Sequence, residues 1–328
     1  MINPGIRLFW KPVLKIIASL TCLVVLFRSI HPDEVWSILV DAQAWTLSLG
    51  LVLASGCILL QVGRWRILCI AEGYRLPYGL AAKLLWIGYF FSQILPSTVG
   101  GDAVRLWQVS RLGMPISIAF GTIVADRVFG ITVMALLVLA ASPWLLDAAS
   151  GRPEIVSVLV LAGGVFAVGV LIGLFTHHFC GMLKAKSLAR FSAPISSVGR
   201  ICRDILTRPG ATALVLAYSV LVFVLYSLVA SVAAHSIGIS LPLSDSLKVI
   251  PAVLLMSAIP ISVAGWGIRE GAMVVALGIF GIAPAQALAI SILLGLNGAI
   301  ISLPGAMLWW SLQRHCISSN RNTGPVSS

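Results

Sequence analysis

A chain of 328 residues that is 59% hydrophobic and only 10% charged, with a mean hydropathy of +1.02, has too little polar surface to cover a water-soluble particle. Its formal charge of +11 does not point to nucleic acid, because the basic residues fall between alternate apolar runs rather than on one soluble face. The composition is that of a polytopic membrane protein.

The first apolar run, about 13–30, follows Arg7, Lys11 and Lys15. No small-x-small cleavage site follows it, only Arg28 and His31-Pro32-Asp33, so it reads as a retained first span with a cytoplasmic N-terminus. A loop at 31–43 carries Asp33, Glu34 and Asp41 but no Lys or Arg. A second span, 44–62, is closed by Arg64-Trp65-Arg66, which interfacial anchoring explains. After the interrupted region 79–112 come spans at 116–141 and 155–175, with a polar stretch at 142–154 between them. The first of these carries Asp126-Arg127 near its middle. The basic segment 176–210 follows, and its mixture of apolar and basic residues suits either a helix lying on the anionic inner leaflet or a solvated linker. A span at 211–235, a second interrupted region at 246–282 and a last span at 285–311 lead to a polar tail, 318–328, that reads as disordered.

The two interrupted regions carry one pattern written twice, half the chain length apart. Pro96-Ser97-Thr98-Val99-Gly100-Gly101-Asp102-Ala103-Val104-Arg105 aligns without a gap on Pro260-Ile261-Ser262-Val263-Ala264-Gly265-Trp266-Gly267-Ile268-Arg269. Pro and Gly break helices, and each half-region is short for the ~20 residues that a span needs. A re-entrant helix–break–helix hairpin fits each region better. The fold expected is therefore an all-α polytopic membrane protein with six full transmembrane helices and two re-entrant helical hairpins arranged as an inverted repeat. Residues 1–317 form one transmembrane domain, with halves at about 1–145 and 150–317. On this topology 17 of the 22 Lys and Arg lie on the cytoplasmic side, and both termini are cytoplasmic.

Arginine inside a membrane is costly and defaults to a functional reading. Ser97, Thr98, Gly100, Gly101, Asp102 and Arg105 in the first motif form the candidate substrate-binding set. Ser262, Gly265, Trp266, Gly267, Arg269 and Glu270 in the second, with Asp126 and Arg127, complete it. Free N–H groups at the start of each returning half-helix favour an anion such as phosphate, and a guanidinium one turn further in can bind it in two-pronged fashion. The competing reading is that Arg105 pairs with Asp102 and Arg269 with Glu270, or with Asp126 and Arg127 nearby, simply to brace the breaks. Trp266 stands where Asp102 does, so the two sites are related but not equivalent. The tryptophans Trp309-Trp310 suit an aromatic belt, and Gly163, Gly164, Gly169 and Gly173 suit helix packing.

Catalytic signatures are missing from the sequence. Position 99 is Val where an intramembrane aspartyl protease would carry the first Gly of GxGD, and no HExxH, GxSxG or P-loop occurs. The six cysteines show no CxxC pair and no zinc spacing, so free thiols, no metal and no cofactor are expected.

At these residues the chain resembles the transmembrane-region family of lysylphosphatidylglycerol synthases, which are flippase-like integral membrane proteins. The resemblance rests on Arg64-Trp65 with Leu68, on Leu95-Pro96-Ser97 with Gly100-Gly101-Asp102-Ala103-Val104-Arg105, on Asp126-Arg127, and on Gly265-Trp266-Gly267-Ile268-Arg269-Glu270. It implies lipid transport in the plasma membrane, with membrane lipids as partners and an anionic headgroup moved between leaflets. The soluble domain that carries synthase chemistry in some members has no room after the last span, so no enzyme activity is expected. The alternative is a non-transporting, lipid-binding accessory subunit that serves a lipid- or glycan-modifying enzyme.

Overall fold

The structure, a computed structural model, describes residues 32–95, 99–148, 153–182, 189–258 and 266–311. Within them the chain is all-helical. In order the helices are α1 (Pro32–Val40), α2 (Ala44–Ala71), α3 (Tyr78–Ile94), α4 (Gly100–Arg111), α5 (Ile116–Ala140) and α6 (Ser142–Ala148). There follow α7 (Pro153–Met182), α8 (Ala189–Leu206), α9 (Pro209–Ser236), α10 (Leu243–Ser257), α11 (Ile268–Gly278) and α12 (Pro284–Ser302), which resumes after Leu303 and runs to Ser311.

Five of these, α2, α5, α7, α9 and extended α12, are long and apolar enough to cross a membrane. They coincide with five of the six spans expected; the run at 13–30 lies outside the described residues. Two expectations change in detail. The 31–43 loop contains α1, which opens at Pro32 and carries Asp33 and Glu34 in its first turn, where the helix dipole favours them. Its Val35 is buried against Ala285, Leu288 and Ala289 of α12. Helix α2 does not end at the Arg64-Trp65-Arg66 triplet but runs through it to Ala71.

The two interrupted regions each become a pair of short helices, α3 with α4 and α10 with α11, whose members pack together. Leu95, the residue before Pro96, is extended (φ −78°, ψ 141°), as steric conflict with the proline ring requires, and α3 stops there. Gly101 seals the first pair. A Cβ there would overlap the carbonyl oxygen of Gly88 and the hydroxyl of Ser92, so the α4 backbone lies directly on α3. Gly100 is hemmed in by Leu95 in the same way. The room beside these two glycines is taken by the protein's own chain.

A second duplicated device precedes each pair. Both α2 and α9 have 28 residues. Each ends on a glycine of positive φ, Gly73 at 84° and Gly238 at 77°. Gly73 N–H donates to the Ile70 carbonyl and Tyr74 N–H to that of Cys69; Gly238 and Ile239 repeat this with His235 and Ala234. Such closure consumes the orphan carbonyls of a helix end and suits only glycine at the left-handed position. In both cases Leu-Pro follows, Leu76-Pro77 and Leu241-Pro242, and the next helix starts. Gly-x-x-Leu-Pro is thus a second repeat, on the same spacing as the first to within one residue.

Close packing joins the halves. Helix α2 lies along α9, with Gly56 against Leu225 and Gly63 against the Tyr218 ring, and a Cβ at either glycine would press into its neighbour. Small residues at such a seam let helices approach where no hydrophobic force drives them together. Of the glycines expected to pack, Gly169 does, against Thr132 of α5, while a Cβ at Gly163 or Gly164 would meet no other element within 4 Å among the described residues; the surroundings of Gly173 lie outside the description. The basic segment yields the amphipathic α8, whose Val198, Ile201, Cys202 and Ile205 are buried against Leu68, Ala125, Phe129 and Val215. That face packs on the protein, which leaves it unavailable to a leaflet. Burial there pushes the Cys202 thiol up to about 12.

Gly101→Ala should lower the midpoint of denaturant unfolding in detergent, by about 1–3 kcal/mol for an overpacked site. Gly79→Ala, where the added Cβ meets nothing within 4 Å, should be neutral or stabilising.

Candidate functional site

Five charged residues of the first half, from α2, α4 and α5, meet in one cluster. Helix spacing puts Asp102 and Arg105 three apart on one face of α4, while Asp126 and Arg127, adjacent on α5, diverge by about 100°. Asp126 turns inward and accepts a hydrogen bond from Arg64 Nε of α2 at 2.7 Å. Its other oxygen lies 3.8 Å from Arg105 Nη2. Arg127 reaches Asp102, with 2.8 Å from Nε to Oδ2, and Arg105 Nη1 stands 3.9 Å from the other oxygen of Asp102. Arg64 Nη1 also donates to Ser219 Oγ of α9 at 3.1 Å, so the second half takes part in the first half's site.

Arg64 and Trp65 are only 5% and 0% exposed, which overturns their reading as an interfacial anchor. Trp65 is a platform. The Arg105 guanidinium carbon sits 4.2 Å from its ring centroid, and its indole N–H points to Thr122 Oγ1 at 3.4 Å. Gly130 of α5 leaves the space that the Arg64 guanidinium fills. Arg105 is 5% exposed, and its Nε and Nη2 have no hydrogen-bond partner among the described residues. Its two carboxylate contacts are both too long to be hydrogen bonds. Arg105 thus pairs with Asp102 and Asp126 only at long range, while Asp102 is held more closely by Arg127 and Asp126 by Arg64. Three guanidiniums share two carboxylates.

The second half solves the same problem by closure. Glu270 is 0% exposed. One oxygen accepts the Gly267 backbone N–H, and the other accepts Arg269 Nη2 at 2.6 Å and Nε at 3.1 Å, with Ser291 Oγ at 3.2 Å. Gly267 has φ 91°, a conformation that glycine alone adopts without strain. Arg269 also donates to Ser291 at 3.2 Å and lies over the Trp266 ring at 4.8 Å. Gly295 of α12 makes room for it, as Gly130 does for Arg64. Here the bracing reading describes the geometry well.

Of the candidate residues, the structure brings Asp102, Arg105, Asp126 and Arg127 together, and separately gathers Trp266, Gly267, Arg269 and Glu270. Ser97, Thr98, Ser262 and Gly265 lie outside the described residues. The candidate binding set left out Arg64 and Trp65, which the resemblance had singled out, as well as Ser219 and Ser291. Arg64 was read as an anchor because it closes an apolar run, and a hydroxyl on an apolar helix is too common to mark a site.

Residues 13–305 match the sequence model of the lysylphosphatidylglycerol synthase TM region, and the chain belongs to that family. Over a stretch of 116 residues it is also 23% identical to a UPF0104 membrane protein of Archaeoglobus fulgidus. That alignment spans 35% of each protein. Family membership and the apolar helices make it a multi-pass membrane protein of a lipid-related family.

Asp126→Ala leaves Arg64 without a counter-charge and Arg105 with only the long Asp102 contact, and should destabilise by about 3–5 kcal/mol. Arg127→Ala removes a guanidinium that is half exposed and should cost about 1 kcal/mol or less. Comparing their unfolding midpoints in detergent checks the order.

Proposed function

We propose that this member of the family is a lipid flippase: it moves an anionic, phosphate-bearing headgroup between leaflets and performs no covalent chemistry. The observation that carries the reading is Arg105, a buried guanidinium on an aromatic platform with two nitrogens unpartnered among the described residues. A buried charge with unused donors loses free energy that an anion would restore, and a phosphate oxygen pair matches the planar fork. The local excess of one positive charge favours the same ligand. Arg269, already neutralised by Glu270, serves as the fixed counterpart on the opposite side of the path.

In this reading the α3–α4 and α10–α11 pairs are re-entrant hairpins that enter from opposite faces of the plasma membrane. The halves are inverted, six helices span, and the termini are cytoplasmic. The matching order of helix, Gly-x-x-Leu-Pro, short helix, break, short helix and long helix in both halves supports a repeat. The odd number of spans that separates the two hairpins supports its inversion.

Reconstituted protein should translocate labelled anionic phospholipids in proteoliposomes. Arg105→Ala keeps the Arg64–Asp126 pair and should fold, yet slow translocation by about tenfold or more. Arg105→Lys should not rescue it, because an ammonium lacks the two-pronged fork. Normal rates in Arg105→Ala would remove the site, and absence of translocation for every lipid would favour an accessory lipid-binding subunit.

Topology has its own check. Gly113 and Gly281 end α4 and α11 at positive φ (93° and 74°), so cysteines belong instead at Leu112 and Ala283. They should react with an impermeant thiol reagent from opposite sides; same-side labelling would abolish the inversion.

A further inference from the structure

Away from the charged cluster, the structure holds a cleft of about 550 Å³ between α7 and the α10–α11 pair. Its walls are Leu145 of α6, Ile155, Val158 and Leu161 of α7, and side chains of α10 and α11 from Val249 to Met256 and from Ile268 to Ile279. The single polar side chain among them, Ser157, has its hydroxyl engaged with the Pro153 carbonyl. Gly271 lies in the wall, and a Cβ there would meet no atom within 4 Å. The cleft is partly open at Val275, which is 44% exposed.

Two dimensions identify what fits. From Ile268 to Ile279 the α11 wall runs about 16 Å at the helical rise. That is about half of a ~30 Å hydrocarbon core, the depth of one leaflet. An apolar slot of leaflet depth, open sideways beside the most apolar candidate span, suits a hydrocarbon chain better than water.

Polarity orients the occupant. At the Val249–Leu145 end, Lys248 lies 4.7 Å over the Trp144 ring and pairs with Asp245 at 2.9 Å. Trp and Lys are the side chains that mark a membrane–water boundary. At the Met256–Ile268 end the cleft stops beside the closed Arg269–Glu270 pair.

We infer that this cleft holds one acyl chain of a phospholipid, with the glycerophosphate end beside Lys248 and Trp144 and the methyl end toward Ile268. It is a lateral docking site for a lipid in a single leaflet. The choice of a lipid as occupant rests on the lipid-handling reading, but the cleft is independent of Arg105.

The test uses the full chain in nanodiscs of phosphatidylglycerol that carries a photoactivatable diazirine on one chain, either near the carbonyl or near the terminal methyl. Peptide mapping should find adducts concentrated on cleft residues such as Val158, Val253 and Val275, relative to Val160, which is 70% exposed on α7. The carbonyl-proximal label should favour the Val249 end and the terminal label the Met256 end. Gly271→Phe, at a wall position where a Cβ meets nothing within 4 Å, projects a ring into the slot and should bring cleft adducts down to the Val160 level. Val160→Phe should not. Equal labelling of the cleft and Val160, insensitivity to Gly271→Phe, or the reverse order of the two labels would overturn the proposal. Arg105→Ala should retain the adducts, so their presence without translocation would sink the flippase reading alone, and translocation without them the cleft alone.

Discussion

The first half turns on one buried guanidinium–carboxylate pair. Arg64 and Asp126 bring α2 and α5 together at 2.7 Å, and the same carboxylate faces Arg105 on α4 while the same arginine reaches Ser219 on α9. In a medium of low dielectric an isolated charge on any of these helices would be prohibitive. The helices must therefore meet where their charges do. The glycines around the pair follow from this requirement: Gly130 yields volume to one guanidinium, and Gly101 lets the α4 backbone settle onto α3 so that Asp102 and Arg105 arrive at the right depth.

The second half meets the same constraint with fewer parts. Glu270 sits beside Arg269 on one helix, caps the Gly267 amide and takes the Ser291 hydroxyl, so nothing from α9 is required. Ser291 does on α12 what Asp126 does on α5, as the side chain from the last long helix that meets the hairpin arginine. Moving the carboxylate from one helix to the other changes the result. A carboxylate next to its arginine is fully spent, whereas one shared between two arginines leaves donors over. The two halves keep the same backbone plan and differ in how completely their charges are consumed.

The sequence made the helices legible because length and apolarity alone decide which segments suit a membrane, and five expected spans appear at nearly the expected residues. Breaks were legible too, since Pro96 and the glycine clusters act locally. Partner choice was not. Arg64 passed for an anchor because a basic residue near the end of an apolar run is usually one, and only the continuation of α2 to Ala71 places it in the interior. Asp102 lay three residues from Arg105 and invited the local pair, but Arg127 on α5 approaches it more closely. The Gly-x-x-Leu-Pro repeat was not legible because Gly and Pro occur at turns of every kind and Leu throughout apolar runs, and it became distinct only through matching positive φ and matching terminal hydrogen bonds.

The seam between α2 and α9 bears on how such a molecule can change shape. Gly63 receives the Tyr218 ring and Gly56 the end of Leu225 with no slack between them, and Ser219 ties Arg64 across the same line. Two helices interlocked in this way resist sliding past one another, since each glycine socket fits one side chain at one height. They form a keel common to both halves. A sliding of one half along the other is therefore blocked at this line.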